Sequence, residues 1–132
     1  MPTITVAVNQ TAPSTAVGII RDHQVTIDRP TAKGGADAGP MGGELLLAAL
    51  GGCFISNLLA AIRAREADIQ DVQISIAGEL VDAPSRFSAI TMTVSATHND
   101  PALLQKLITI SERACIVANS LKNSVDLTIT AA

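Results

Sequence analysis

The chain has few of the side chains that most often bind ligands. Its 132 residues include no Trp, no Tyr, two Phe, two His and two Cys. It has no aromatic platform for stacking bases and no basic stripe, and its formal net charge is −3, so a nucleic-acid partner is not expected. Only 16% of the residues are charged and 48% are hydrophobic, which excludes an intrinsically disordered chain.

The length suits one domain over residues 1–132, since two domains within this length could not each bury enough apolar surface. The first residues, MPTITVAVNQTAPS, alternate apolar and polar side chains. They lack the charged region and the continuous apolar region of a signal peptide. A cytoplasmic location is therefore expected.

The first third of the chain has the pattern of short strands. Ile4, Val6 and Val8 alternate with polar residues and predict an N-terminal strand, and apolar runs at 17–20 and 25–27 predict a hairpin. Residues 33–43, KGGADAGPMGG, contain five glycines and one proline, which predicts a flexible loop that leads into the next element.

Residues 44–66, ELLLAALGGCFISNLLAAIRARE, predict a long helix because they are rich in Leu and Ala and end in a basic turn. The apolar part is almost long enough to span a bilayer. However, Gly51, Gly52, Ser56 and Asn57 interrupt it and no second span follows. We therefore expect a helix buried in a core or a dimer interface, and no membrane partner.

The remaining residues predict a second hairpin, two helices and a last strand. Asp100 and Pro101 are a favourable N-cap and first residue for a helix that ends near Arg113, and a short helical segment follows at 115–121. The alternating apolar residues of the strands are Val72, Ile74, Ile76 and Leu80, then Phe87, Ile90, Met92, Val94 and Ala96, and finally Val125, Leu127 and Ile129. The element order predicts an α+β fold with antiparallel sheets.

The two cysteines, Cys53 and Cys115, are the strongest candidates for chemistry. A structural disulfide is not expected in a cytosolic protein, and buried thiols are the ordinary alternative. Cys53 follows two glycines that can let the helix bend and leave the thiol approachable, and Cys115 lies between two predicted helices, where free backbone N–H groups could stabilise a thiolate. The histidines have no partners at metal-ligand spacing, so neither a metal nor another cofactor is expected.

The segment GPMGGELLLAALGGCFISNLLA, followed by a hairpin, a helix and the second cysteine in ERACIVANSLKNSVDLTI, resembles the OsmC and organic hydroperoxide resistance (OsmC/Ohr) family. The motif ELLLAALGGC carries most of this resemblance. It implies the OsmC-like α+β fold, in which antiparallel sheets surround a long buried central helix and two chains form an intertwined homodimer.

The resemblance also implies an activity, which is the reduction of organic hydroperoxides to alcohols in oxidative stress defence. Cys53 would be the peroxidatic cysteine, which becomes a sulfenic acid, and Cys115 would be the resolving cysteine, which forms a disulfide with it. A dithiol of the lipoyl type would then restore both thiols.

This chain departs from the family pattern near the first cysteine. The resemblance implies a Glu ten residues before Cys53 that orients an Arg against the thiolate, but that position is Gly43. Glu44 is the nearest candidate, although at about 100° per residue a straight helix places it on the opposite face from Cys53. Arg21 is preferred to Arg29 as the Arg, and the second cysteine precedes Ile116 where many relatives have proline.

Two alternatives to a peroxidase remain open. The first is a non-catalytic member of the family that binds a small apolar ligand in the dimer cavity, which the absence of a Glu at Gly43 favours. The second is a structural interaction module whose two cysteines are only buried side chains.

Overall fold

The computed structural model describes residues 1–132 and has the α+β fold that the sequence predicts. Five strands form two antiparallel sheets, one of three strands and one of two, and the chain also contains three α-helices. The residues group into two compact units, Met1–Leu46 and Leu47–Ala132, which are described in turn.

The sheet of the first unit consists of β1 (Ala7–Gln10), β2 (Ala16–Ile20) and β3 (His23–Ile27), in that order. The predicted hairpin of β2 and β3 is confirmed, with Gly18 paired to Val25. The predicted first strand starts later than its apolar alternation suggests, because pairing with β2 begins only at Ala7. Ile4 and Val6 therefore precede the strand, and they are 86% and 54% exposed.

The loop after β3 is organised around a buried carboxylate, Asp28, which is only 3% exposed. One oxygen accepts a hydrogen bond from the N–H of Arg29 at 2.7 Å. The other accepts from the hydroxyl of Thr15 at 3.0 Å and from the N–H groups of Ala36 and Ala38 at 3.2 Å each. This carboxylate thus binds the middle of the glycine-rich segment, at Ala36 and Ala38, and the segment is more ordered than its composition predicts.

Two glycines in this loop allow close approach of backbone segments. A Cβ at Gly35 would overlap the carbonyl group of Arg29, and a Cβ at Gly39 would overlap that of Thr26. The N–H of Asp28 also donates to the carbonyl of Pro40 at 3.1 Å. Glycine is therefore required here by packing against the backbone of β3 and the residues that follow it.

The environment of Asp28 predicts that the protein becomes less stable in acid. Burial acts to raise the pKa of Asp28, but hydrogen bonds from the N–H groups of Arg29 and Ala38 and from the hydroxyls of Ser14 and Thr15 outweigh it and lower the pKa from 3.8 to about 2. Because the folded pKa is the lower one, this stabilisation is present above pH 4 and is lost as the pH falls from 4 to 2.

The variant Asp28→Asn tests this expectation. Asn has one acceptor oxygen in place of two, and its NH₂ group would face N–H donors, so the variant should unfold at lower urea concentration than the wild type at pH 7. The difference in unfolding midpoint should narrow between pH 4 and pH 2. Parallel midpoints of the two proteins across that range would contradict the assignment.

The other elements are α1 (Gly42–Ala64), which begins in the first unit and continues into the second, β4 (Ile69–Val81), β5 (Arg86–His98), α2 (Pro101–Ala114) and α3 (Ile116–Lys122). The predicted central helix and second hairpin are confirmed. Asp100 caps α2 as predicted, because its Oδ1 accepts a hydrogen bond from the N–H of Leu103 at 3.0 Å. The hydroxyl-bearing residues of β5 alternate with its apolar residues and are exposed, namely Thr91, Thr93, Ser95 and Thr97.

The core of the second unit lies along one face of α1. Its buried side chains Leu50, Phe54, Leu58 and Ile62 recur every four residues, and they share a cluster with Leu104 and Leu107 of α2. The apolar face of the β4–β5 hairpin packs against this cluster. Gly51 brings the helix close to β4, since a Cβ there would lie 2.6 Å from Cδ1 of Ile76.

The central helix, which is expected to be buried in a core or a dimer interface, is not covered on all sides within one chain. Leu46 is 38% exposed and Leu59 is 45% exposed. By length and composition α1 could cross a membrane, but the core helix of a globular protein passes the same test. Within the chain, only one of its faces is covered.

The predicted last strand is wrong for this chain. Residues 124–132 form no regular structure, and Val125, Leu127 and Ile129 are 64%, 79% and 86% exposed. The alternation that predicted the strand is present, but no strand of the same chain pairs with these residues. A strand requires such a partner for its backbone hydrogen bonds.

Candidate active site

Cys53 lies in the middle of α1, and its side chain is half-buried beside the core of the second unit. The helix is continuous across the preceding glycines, from Gly42 to Ala64. The glycines differ in their surroundings, because Gly51 packs against β4 whereas no atom lies within 4 Å of a Cβ built on Gly52. The partial exposure of Cys53 leaves its thiol approachable.

Cys115 occupies the junction between α2 and α3 and has extended backbone angles, φ −80° and ψ 112°. Its N–H donates to the carbonyl of Glu112 at 3.2 Å and closes α2. Its Sγ accepts from the N–H of Ala118 at 3.5 Å and caps α3. The side chain is 0% exposed, so that both helices and the core enclose this thiol.

Cys53 packs against the buried cluster that contains Cys115, each thiol shifts the pKa of the other, and both thiols are free. The pKa of Cys53 is lowered, mainly by a hydrogen bond from the N–H of Val117. Hydrogen bonds from the Cys115 thiol and the N–H of Ile116 lower this pKa further, and burial opposes them. The pKa of Cys115 is raised, mainly by burial and also by its hydrogen bond to Cys53 and the charge of that thiolate, although the N–H groups of Ala118 and Val117 oppose this. Of the two thiols, Cys53 therefore loses its proton first as the pH rises.

The free N–H groups at the helix junction act on a different cysteine from the one that the sequence predicts. They were expected to stabilise a thiolate on Cys115, but those of Ile116 and Val117 act on Cys53. Sequence reasoning identified the donors but not their acceptor, because the acceptor lies on another helix. The break between two helices was the signal for the donors, and nothing in the sequence identified the acceptor.

The other predicted site residues are Glu44, Arg21 and, as the alternative to Arg21, Arg29. Glu44 is exposed, and its Oε1 accepts a hydrogen bond from the N–H of Met41 at 2.8 Å, as in a capping box at the start of α1. Arg21 is an exposed residue of the turn between β2 and β3, in the left-handed region at φ 55°. Arg29, the alternative, lines a pocket of about 480 Å³ in the first unit together with Ser14 and Lys33. The roles predicted for Glu44 and Arg21 remain predictions.

The fold and the site together define a class, that of α+β proteins in which a long helix carries one free cysteine against a second, buried one. A family model described as OsmC-like protein matches residues 34–130, a range that includes both cysteines. The chain therefore belongs to the OsmC-like family, as its motifs indicated.

Solved structures agree with this assignment at the level of the fold. An OsmC-like protein from Mycoplasma pneumoniae is 17% identical, with a TM-score of 0.80 over 92% of this chain and 88% of that one. An organic hydroperoxide resistance protein OsmC from Legionella pneumophila is 16% identical, with a TM-score of 0.69 over 96% and 93%. An organic hydroperoxide resistance protein from Elizabethkingia anophelis is 17% identical, with a TM-score of 0.64 over 92% of this chain and 89% of that one. No curated protein matches the sequence.

Proposed function

We propose that this protein is a thiol-dependent peroxidase that reduces organic hydroperoxides to alcohols, with Cys53 as the attacking residue and Cys115 as the resolving one. The observation that carries the proposal is the contact between the two thiols, in which the pKa of Cys53 is lowered and that of Cys115 is raised. Membership of the OsmC-like family, whose similar structures include organic hydroperoxide resistance proteins, supports the substrate class.

In the first step the Cys53 thiolate attacks the terminal oxygen of the hydroperoxide. The sulfur forms an S–O bond, the O–O bond breaks, and the alkoxide leaves and takes up a proton to become an alcohol. Sulfur is oxidised to a sulfenic acid and the peroxide is reduced by two electrons. A lowered pKa of Cys53 favours this step because the thiolate is the nucleophile.

In the second step Cys115 attacks the sulfur of the sulfenic acid. The S–S bond forms, the S–O bond breaks, and the hydroxyl group leaves with the proton of Cys115 as water. Cys115 is 0% exposed, so a peroxide from solution meets Cys53 first. Its position in contact with Cys53 requires no diffusion of a second molecule to complete the disulfide.

A dithiol, of the lipoyl type, then reduces the disulfide by two successive exchanges and is itself oxidised to a disulfide. All of these steps use the two cysteines of the chain and two substrates, with no cofactor. A cytoplasmic location fits this cycle because the thiols must be returned to the reduced state after each turnover.

Turnover with purified protein tests the proposal. Fully reduced protein should consume cumene hydroperoxide or tert-butyl hydroperoxide in the presence of dihydrolipoamide, measured as the loss of peroxide. With one equivalent of peroxide and no reductant, peptide mapping should find Cys53 joined to Cys115. Failure to consume peroxide, together with two cysteines that remain free after its addition, would overturn the proposal.

A second candidate function is the binding of a small apolar ligand without catalysis. Gly43 stands where the resemblance implies a Glu, and the carboxylate of the neighbouring Glu44 is engaged with the N–H of Met41. This candidate expects Cys53 to be alkylated with the pH dependence of a free thiol. A disulfide between Cys53 and Cys115 after peroxide addition would count against it.

We propose in addition that the working form is a homodimer. Within one chain α1 leaves Leu46 and Leu59 exposed, and the terminal segments that contain Ile4 and Leu127 are 86% and 79% exposed at those residues. A second copy of the chain could cover these apolar surfaces and pair with the alternating terminal segments. A sedimentation mass of 13.6 kDa, that of one chain, would contradict this.

A further inference from the structure

Asn57 is the one asparagine or glutamine of the chain that is half-buried, since all the others are exposed. The amide side chains that donate hydrogen bonds within the chain are those of Gln10, Gln105, Asn119 and Asn123. The amide of Asn57 is not among them, and no side-chain nitrogen or oxygen of the chain is fully buried without a partner. This amide is therefore partly desolvated, and its donors remain free for a molecule from solution.

Asn57 lies one helical turn after Cys53, in a row of α1 that borders the core. Cys53 and Ala61, four residues before and after Asn57, both pack against the buried cluster of the second unit. Residues four apart on a helix share one side of it, with their Cβ atoms about 5–6 Å apart. Helical side chains also lean back toward the N-terminus, so the Asn57 amide covers the turn that carries Cys53.

This spacing suits a hydroperoxide that lies between the two side chains. An attacking atom approaches its target to about 3–3.5 Å, and an amide N–H donates to an oxygen at about 2.9–3.0 Å. The oxygen that leaves is bonded directly to the oxygen that the sulfur attacks, so a donor one helical turn from Cys53 can reach it. Negative charge develops on the leaving oxygen as the O–O bond breaks, and a positioned N–H stabilises that charge.

We propose that Asn57 is a further catalytic residue, whose side-chain N–H donates a hydrogen bond to the departing alkoxide oxygen when Cys53 attacks a hydroperoxide. The inference rests on the proposed function. The S–O bond forms as the O–O bond breaks, and the sulfur gives two electrons to the peroxide. The alkoxide takes its proton from solvent, because the amide of Asn57 donates a hydrogen bond and transfers no proton.

The test compares Asn57→Leu, which removes the donors and keeps a similar shape, with the wild type in three reactions of Cys53. Reduced protein should react with one equivalent of tert-butyl hydroperoxide about tenfold to a hundredfold more slowly in the variant, since the lost hydrogen bond is to a developing charge. Peracetic acid should react at nearly the wild-type rate, because its leaving group is a carboxylate, which is a stable anion without a donor. Alkylation by iodoacetamide, which releases iodide, should also be unchanged.

Asn99→Leu is the matched control, because it is the same substitution at an exposed asparagine, and it should keep all three wild-type rates. If circular dichroism shows that Asn57→Leu is not folded, Asn57→Ala removes the same donors with the residue that best favours a helix.

Two results would overturn the inference. One is a wild-type rate with tert-butyl hydroperoxide in the Asn57 variant. The other is an equal loss in all three reactions, which would assign Asn57 to the thiol or to packing instead of the leaving oxygen. Both results leave the proposed function standing, because the wild type still reacts with the hydroperoxide. A wild type that does not react with it would overturn the proposed function and this role together.

Discussion

Cys53→Ser is expected to lower the consumption of organic hydroperoxide to the rate of the solution without protein. The serine hydroxyl is a far weaker acid than the Cys53 thiol, whose pKa is lowered, and it cannot form the sulfenic acid on which both later steps depend. The measurement is the rate of cumene hydroperoxide loss with dihydrolipoamide. Cys53 is only half-buried and the substitution is nearly isosteric, so the circular dichroism and the unfolding midpoint should stay close to those of the wild type.

Cys115→Ser is the matched control, because it removes the other sulfur and leaves the thiolate donors of Ile116 and Val117 in place. It should still react once, with one peroxide consumed per chain and a sulfenic acid on Cys53 that dimedone traps. Without a reductant the reaction should stop at that point because no disulfide can form within the chain. A Cys53→Ser variant that turns over while the Cys115→Ser variant does not react at all would reverse the two assignments.

Gly35→Ala is expected to give the largest loss of stability among glycine substitutions outside the helices. The added Cβ would overlap the backbone carbonyl of Arg29, which cannot rotate away as a side chain can. Either the loop must leave Asp28 or β3 must shift. We expect the free energy of unfolding, measured by urea denaturation, to fall by about 1–3 kcal/mol.

Gly42→Ala provides the comparison, because it is the same chemical change at the start of α1. Nothing lies within 4 Å of a Cβ at Gly42, and its φ is not in the left-handed region. Alanine there should leave stability unchanged or raise it by roughly 0.4–1 kcal/mol through the unfolded chain. Equal urea midpoints for the Gly35 and Gly42 variants would show that the loop is not packed as described.

The sequence allowed those parts of the fold to be predicted that depend on neighbours along the chain. The central helix and the cap of α2 by Asp100 follow from composition and from residues at most a few positions apart. The β4–β5 hairpin follows from alternation on both sides of a short turn. Residues 124–132 carry an equally clear alternation, but the chain contains no strand to pair with them, and a pattern of side chains does not reveal whether a partner exists.

The site was predicted in part for the same reason. The motifs identified both cysteines and the helix break at Cys115, whereas the acceptor of the freed N–H groups depends on a tertiary contact with α1. Asp28 was missed entirely, because its donors lie between one and thirteen residues away and are mostly backbone groups that any residue could supply. Such a carboxylate resembles any exposed acidic residue until the loop around it is known.

In the proposed cycle, the enclosure of Cys115 determines which reductants can restore the thiols. A thiol from solution can reach only the sulfur of Cys53, and when it does so the released Cys115 remains in contact with the mixed disulfide. Its effective concentration there is far above that of any second thiol in solution, so a monothiol such as glutathione is expelled before another molecule arrives. A dithiol carries its second sulfur with it and competes on equal terms. The selectivity for dithiols can thus come from the burial of one residue, with no binding site for the reductant.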